Sequence, residues 1–245
     1  MAKHKKRLDV LLTDRGLVPS RERARALILA GQVSVDGSIV SKAGTPVAED
    51  ARVEVIAPDH PYVGRGGVKL AHALEVFHVD VSGRRALDIG ASTGGFTDVL
   101  LQCGAHDVIA LDVGHGQLDW KLRNDPRVLV REGVNARALT DDDVPHKVDV
   151  ITIDVAFISL RHIFPSLPPF MTPGADVVAL VKPQFEAGRS EVRKGIIRDP
   201  AVHARVLEEV AAAGAEVGLN RVASTPSPIT GQKGNVEFLV HFRPS

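Results

Sequence analysis

The sequence predicts an α/β protein, a mostly parallel seven-stranded sheet covered on both faces by helices and preceded by a small α+β module. Three observations predict it. Short apolar runs alternate with helical patterns from residue 68 onward. The stretch Ala86-Leu87-Asp88-Ile89-Gly90-Ala91-Ser92-Thr93-Gly94-Gly95-Phe96 reads as strand, glycine turn and helix. Residues 7–57 carry a separate pattern, closed off by Pro58-Asp59-His60-Pro61, which interrupts both periods.

The boundaries that follow are a module over 1–60, a connector over 61–67 and a larger domain over 68–245. In the module, Leu8, Leu11 and Leu12 keep helical spacing until Gly16. Ser20 can cap a second helix that runs through Ile28 and ends at Gly31. Val33 and Val35, the Asp36-Gly37 turn, then Ile39 and Val40 read as a hairpin, and Arg52 to Ile56 as a closing strand. After the connector Tyr62–Gly67, Leu70, Leu74 and Phe77 share one helical face.

Strand candidates in the larger domain are Ala86–Ile89, Val108–Leu111, Val128–Val130, Val148–Ile153, Val177–Val181, Val217–Val222 and Val236–Phe242. Helical stretches separate most of them, as parallel strands require. The last two share only a turn-rich connection, Ser224 to Gly234, and read as an antiparallel edge hairpin.

Composition excludes several classes. Lys+Arg and Asp+Glu balance at 30 each, so no global charge marks a nucleic-acid partner. The charge is uneven, however. In residues 1–25, Lys3, Lys5, Lys6, Arg7, Arg15, Arg21, Arg23 and Arg25 face Asp9, Asp14 and Glu22, a net charge of +5. The lone Cys103 excludes an internal disulfide framework and reads as helix core. With no apolar run of membrane-spanning length and no signal segment behind the basic start, a cytoplasmic protein is expected.

The glycine turn leaves backbone N–H groups free at a helix N-terminus, a ready ligand site. A dinucleotide fingerprint would need glycine where Ser92 stands, which disfavours a pyrophosphate ligand. The run Val108 to Leu111 ends in Asp112, placed to grip ribose hydroxyls. Turn and acid together suit S-adenosylmethionine, which has a ribose and no phosphate. In open α/β sheets, ligands bind beyond the carboxyl ends of the strands. Asp154 and Lys182 each follow an apolar run at such an end, Lys69 lies on the first helix and Glu237 near the start of the last strand. Two lysines oriented by two carboxylates can draw the proton from an alcohol. A helix cap or a solvated strand end would explain Asp154 or Lys182 taken singly.

Arg21 and Arg25 lie one helical turn apart and could span phosphates, with a solvated helix face as the plain alternative. Arg189, Arg193, Lys194 and Arg198, in the loop from Pro183 to Asp199, could form a basic lip over RNA. Asp98, His115, Asp119 and His162 lack the spacing of a ligand set, and a solvated helix face accounts for His115 and Asp119.

The pattern Ser20-Arg21, Ala24, Ile28, Gly31, Val33, Val35, Asp36-Gly37 resembles the alpha-L RNA-binding module found in a ribosomal protein, pseudouridine synthases and tyrosyl-tRNA synthetases. Lys69, Asp154, Lys182 and Glu237 with the glycine turn resemble the FtsJ-like 2′-O-ribose methyltransferases. Taken together, residues 5 to 242 are similar to the hemolysin A (TlyA) family of rRNA cytidine 2′-O-methyltransferases.

That resemblance implies a Rossmann-like class I methyltransferase domain, S-adenosylmethionine as cofactor, and ribosomal RNA or ribosomal subunits as partner. It implies Lys69, Asp154, Lys182 and Glu237 as catalytic residues, with Lys182 the base. Gly90, Ala91, Ser92, Thr93, Gly94, Gly95, Phe96, Asp112, Asn135 and Asp154 would bind the cofactor, and Arg7, Arg21, Arg25, Arg189 and Arg193 the RNA. Phe157 would border the transfer site, with a core aromatic as the alternative. Only Arg243-Pro244-Ser245 follow Phe242, where longer relatives carry a further helix, which leans the expectation toward the large-subunit RNA. Two rival functions are a membrane-active hemolysin and a non-catalytic rRNA-binding assembly factor. The first lacks a spanning segment, and the second gives no reason to keep two lysines at a cofactor mouth.

Overall fold

Apolar spacing and turn chemistry set the elements in order along the chain, and a computed structural model describes residues 5–18, 20–56, 60–188, 191–192, 195–231 and 234–245. The N-terminal module comprises β1 (Lys5–Arg7), α1 (Leu8–Asp14), α2 (Arg21–Leu29), β2 (Val33–Val35), β3 (Ser38–Ile39), β4 (Pro46–Ala48) and β5 (Val53–Val55). Ser20 caps α2 by accepting the Arg23 amide at 3.2 Å. Asp36 and Gly37 both hold positive φ, 50° and 80°, the turn that matches strand twist in a two-residue hairpin. Strand β2 lies between β3 and β5, and β1 pairs antiparallel with β4. Sequence reading did not find the β1–β4 ladder, because Lys5-Lys6-Arg7 has neither apolar alternation nor β-branched residues. Leu8, Leu12, Ile28 and Val33 are fully buried in a core of this module's own.

The larger domain follows as α3 (Gly66–Phe77), β6 (Arg85–Ile89), α4 (Gly95–Gln102), β7 (Asp107–Asp112), α5 (Trp120–Arg123), β8 (Val128–Glu132), β9 (Val148–Ile153), β10 (Met171–Val181), α6 (Pro183–Glu186), α7 (Pro200–Ala215), β11 (Leu219–Pro226) and β12 (Phe238–Pro244). Its seven strands run in the order β11-β12-β10-β9-β6-β7-β8. Those from β6 to β10 are parallel, and β12 runs antiparallel to both of its neighbours. Alternate residues feed two cores: Leu87, Ile89, Ile151 and Ile153 face one, and Ala86, Val150, Val178 and Leu239 the other. Both faces are apolar, as expected of a sheet covered on both sides.

Two expectations are revised and one is met. Strand β10 begins at Met171 rather than Val177, and a register shift between Met171 and Asp176 accommodates Pro173 and Gly174, which broke the apolar pattern. The expected antiparallel edge hairpin forms as β11 and β12, with β11 outermost and β12 paired to β10. Cys103 is exposed at the C-terminal end of α4, outside the core.

At the end of the sheet away from the glycine turn, the buried Asp176 is a hub. Its Oδ1 accepts from His241 Nε2 and Arg243 Nε, each at 2.7 Å, and its Oδ2 accepts from Arg84 Nη1 at 2.7 Å. Burial alone would raise this carboxyl, but the bonds from His241, Arg84 and Arg243 outweigh it and hold it well below the usual carboxylate range. Asp176→Ala strands the buried His241 and should cost about 2–3 kcal/mol in urea unfolding at pH 7. The parent should lose this stabilisation as pH falls below the ordinary carboxylate range, where its unfolded chain takes up protons first. An unchanged midpoint in the variant would make the hub dispensable.

Candidate active site

Strands β6 and β9 pair in parallel with Ile89 opposite Ile153, so Gly90 and Asp154 leave the sheet side by side. The Asp154 amide donates to the Ile89 carbonyl at 2.9 Å. Gly90 has φ +85°, and a Cβ there would lie 2.3 Å from the Asp154 carbonyl oxygen. Only glycine allows that approach. Ser92, the residue that departs from the dinucleotide pattern, takes φ 48°. Its amide donates to Asp112 Oδ2 at 2.8 Å and its Oγ to Gln117 Oε1 at 3.2 Å, which holds the strained turn in place. The turn then enters α4, whose first amides lack intrahelical acceptors.

The four charged residues singled out from the sequence come together as two ion pairs. Lys182 Nζ lies 2.5 Å from Asp154 Oδ1, and Lys69 Nζ bonds Glu237 Oε2. Lys69 is carried by α3, Asp154 follows β9, Lys182 follows β10, and Glu237 immediately precedes β12. Lys69 and Glu237 are buried, where unpaired charges would be prohibitive. Gly231 packs on the Glu237 carboxylate so closely that any Cβ would collide with it. All four line one cavity of about 500 Å³, together with Gly90 to Thr93, Gly95 and Phe96 of the turn.

Other expected residues are placed differently. Gly94 lies beneath the turn, where a Cβ would strike Leu122, and does not line the cavity. Asp112 stays outside it too, with Oδ2 on the Ser92 amide and Oδ1 accepting from Gly114 at 2.7 Å. It therefore shapes the turn, with lone pairs left over for a ligand. Asn135 is exposed, and its Oδ1 accepts from the Arg137 amide at 3.1 Å, as a loop cap does. Phe157 is no core aromatic. It is 88% exposed at φ 65°, lies 5.1 Å from the Phe185 ring between centroids, and lines the cavity.

Arg7 and Arg21 both bond the buried Asp9, Arg21 Nε at 3.1 Å and Arg7 Nη2 at 2.9 Å. The Arg7 bond, partly opposed by burial and reinforced by Arg21, holds the Asp9 carboxyl low. Arg25 is exposed and makes no hydrogen bond or ion pair among the described residues, though its charge helps hold the Glu22 carboxyl low. Arg189 and Arg193, the expected basic lip, lie outside the described residues, as do Lys194 and the Pro58-Asp59 boundary. The loop they belong to opens with the helical turn α6.

Sequence reasoning missed several neighbours of the site. Asp119, expected on a solvated helix face, caps α5 and pairs with Arg23 of the N-terminal module. His115 lies in the loop before that helix. Asp98 is buried and accepts the Val63 amide of the connector at 2.9 Å. Beneath the turn, the fully buried Asp88 accepts from Thr97 Oγ1 at 2.6 Å and Thr152 Oγ1 at 2.9 Å. Burial pushes the Asp88 carboxyl up to about 7 against those two bonds, and the Asp154 charge adds to the rise.

The fold and site place the chain among known proteins. Residues 62–244 match the model of the FtsJ-like methyltransferases, and residues 6–53 match the S4 domain. The chain is 46% identical to the 16S/23S rRNA (cytidine-2'-O)-methyltransferase TlyA of Mycobacterium tuberculosis, over 97% of this chain and 89% of that one. It is 43% identical to hemolysin A of Brachyspira hyodysenteriae, over 96% and 99%. A solved structure from Streptococcus thermophilus, 43% identical, superposes with a TM-score of 0.77 and covers 100% of this chain and 90% of the other. The chain belongs to the FtsJ-like methyltransferase family, with an S4 domain ahead of the catalytic fold. Among the described residues, no helix is long and apolar enough to cross a membrane.

The raised Asp88 carboxyl gives a pH test of the turn. Between about pH 4 and 7 the folded protein holds a proton that the unfolded chain releases, so Asp88 costs stability as pH rises through that window. Asp88→Asn should gain in thermal midpoint relative to the parent from pH 4 to pH 7. A constant difference across the window would remove Asp88 as its source.

Proposed function

We propose that this protein transfers a methyl group from S-adenosylmethionine to the ribose 2′-hydroxyl of a cytidine in ribosomal RNA. The observation that carries the reading is the pair of lysine–carboxylate contacts lining one cavity with the Gly90–Phe96 turn. The turn suits this cofactor. Gly90 gives a close backbone approach and the start of α4 offers free amides, while Ser92 replaces the glycine that a pyrophosphate would need. Gly90, Ala91, Ser92, Thr93, Gly95 and Phe96 would line its methionine end, Asp112 would hold its ribose, and Asp154 would flank the transfer point. Gly94 supports the turn from below, and Asn135 is the weakest member of the set. When bound, the cofactor supplies an electrophilic methyl group.

A ribose hydroxyl is a poor nucleophile at neutral pH until its proton is drawn off. We assign Lys182 as the base: its neutral-amine form takes this proton onto Nζ, and Asp154 holds the ammonium so formed. Lys69, fixed by Glu237, orients the hydroxyl. Lys182→Ala should lower turnover by about 10²–10⁴ with cofactor affinity little changed. Lys182→Arg should fail nearly as badly, because guanidinium does not give up its proton. Labelled methyl incorporation into ribosomal subunits measures both, and near-normal turnover in the arginine variant would reassign the rate to positioning.

The S4 domain supports an RNA substrate, and Arg7, Arg21 and Arg25, together with Arg189 and Arg193, are the residues we assign to it. Arg25 is the strongest of them, since Arg7 and Arg21 are also engaged by Asp9. We take residues 1–60 as the RNA-binding unit, 61–67 as the connector and 68–245 as the catalytic unit. Arg25→Glu should weaken RNA binding and flatten its log–log salt dependence by about one unit, with cofactor affinity intact. Filter binding across a salt series checks this, and an unchanged slope would remove Arg25 from the interface.

A further inference from the structure

The cavity that holds the four charged residues is not built by the catalytic domain alone. Leu29, Ala30 and Gly31 at the end of α2, and Ile39 on β3, also line it. Leu29 and Ile39 are large apolar side chains left 44% and 57% exposed. A single exposed Leu or Ile needs no explanation. Two that share one cavity with Lys69 and Lys182 do.

Their position is fixed by contacts between the modules. Arg23, six residues before Leu29, is ion-paired with Asp119 of the catalytic domain. Gly31 takes φ +74°, and a Cβ there would stand 3.2 Å from Arg65 Cδ of the connector and 3.8 Å from Ile39 Cγ2. The N-terminal module thus leans on the connector with Ile39 turned toward the cavity.

Resting on the reading of the cavity as a 2′-O-methylation site, we propose that Ile39 and Leu29 form one wall of the compartment that receives the base of the target nucleotide. The argument is geometric. The reacting oxygen is on C2′ and the base is on the neighbouring C1′, so a hydroxyl brought to Lys182 carries its base into the same cavity. A base inside a helix cannot enter; it leaves its stack and needs apolar surface in exchange. The catalytic domain supplies Phe157 and Phe185, and the N-terminal module supplies Ile39 and Leu29. The S4 module then acts at two ranges, its arginines on the RNA backbone and its apolar edge on the reacting nucleotide. Ile39 and Leu29 would act on the base of the substrate, away from the reacting oxygen.

The test separates positioning from affinity. Ile39→Ser, Leu29→Ser and the double variant are compared with the parent in single-turnover methyl transfer to ribosomal subunits, at saturating cofactor and RNA. Subunit affinity is measured by filter binding, cofactor affinity by calorimetry and folding by the thermal midpoint. We expect the transfer rate to fall about tenfold in the double variant, with both affinities within about twofold of the parent. The conservative Ile39→Leu should restore most of the rate. Transfer at the parent rate in a folded double variant overturns the proposal. So does a loss of subunit affinity that accounts for the whole effect, because the surface would then be a general RNA contact. A misfolded double variant shifts the decision to the single variants, read against Ile39→Leu. A parent that methylates no ribosomal RNA overturns the activity reading and this proposal together, and so is distinguishable from failure of the variants alone.

Discussion

Strands β6 and β9 end side by side at Ile89 and Ile153, and the chain leaves them toward opposite edges of the sheet. From β6 it passes through α4 to β7 on one side, while β9 leads to β10 on the other. Such a reversal of strand order opens a crevice that no side chain of the sheet can fill. Here the crevice is narrow at its base, because the Gly90 backbone rests against the Asp154 carbonyl. That contact brings the glycine turn within reach of Asp154. Lys182 arrives at the same point because β10 lies next to β9, and Glu237 because β12 lies next to β10. Three adjacent strand ends and one helix therefore deliver four charges separated by up to 168 residues of chain.

Much of this was legible in the sequence, and the reason is periodicity. Buried parallel strands such as Val148–Ile153 read as short apolar runs, and the sharp transition at Asp88-Ile89-Gly90 marks where burial stops. Ser20 and Asp36-Gly37 were legible because capping and hairpin turns are local chemistry. What escaped was set by distant partners. The ladder of Lys5–Arg7 with Pro46–Ala48 has no pattern of its own. Asp119 looks like any acid on a short helix until Arg23 is brought to it. The exposure of Phe157 could not be read either, since an aromatic after an apolar strand is core as often as surface, and its φ of 65° leaves no local signature. The four charged residues were found, but which lysine takes which carboxylate belongs to the tertiary fold.

The N-terminal module shows how its basic charge is divided. The sequence places eight cations in the first 25 residues. In the fold, Arg7 and Arg21 neutralise Asp9, Lys6 pairs with Asp14, and Arg23 reaches the catalytic domain. Arg15 donates to the Ala51 and Glu49 carbonyls at 2.8 and 2.5 Å. A count of basic residues therefore overstates the charge free to meet a phosphate. Several of these arginines hold the module together or hold it against its neighbour, and arginine suits that role because its planar fork serves two acceptors at once.

The same accounting bears on the cavity that Lys69, Asp154, Lys182 and Glu237 line. Two ammonium groups and two carboxylates sum to no net charge, and each lysine is matched within its own pair. Partly buried charges are tolerable only when matched in this way. Arg65 also lines the cavity, so its lining carries one positive charge beyond the two matched pairs. That surplus suits an anionic RNA, and the pairing of both lysines keeps it from growing to the three charges that would repel a cationic methyl donor.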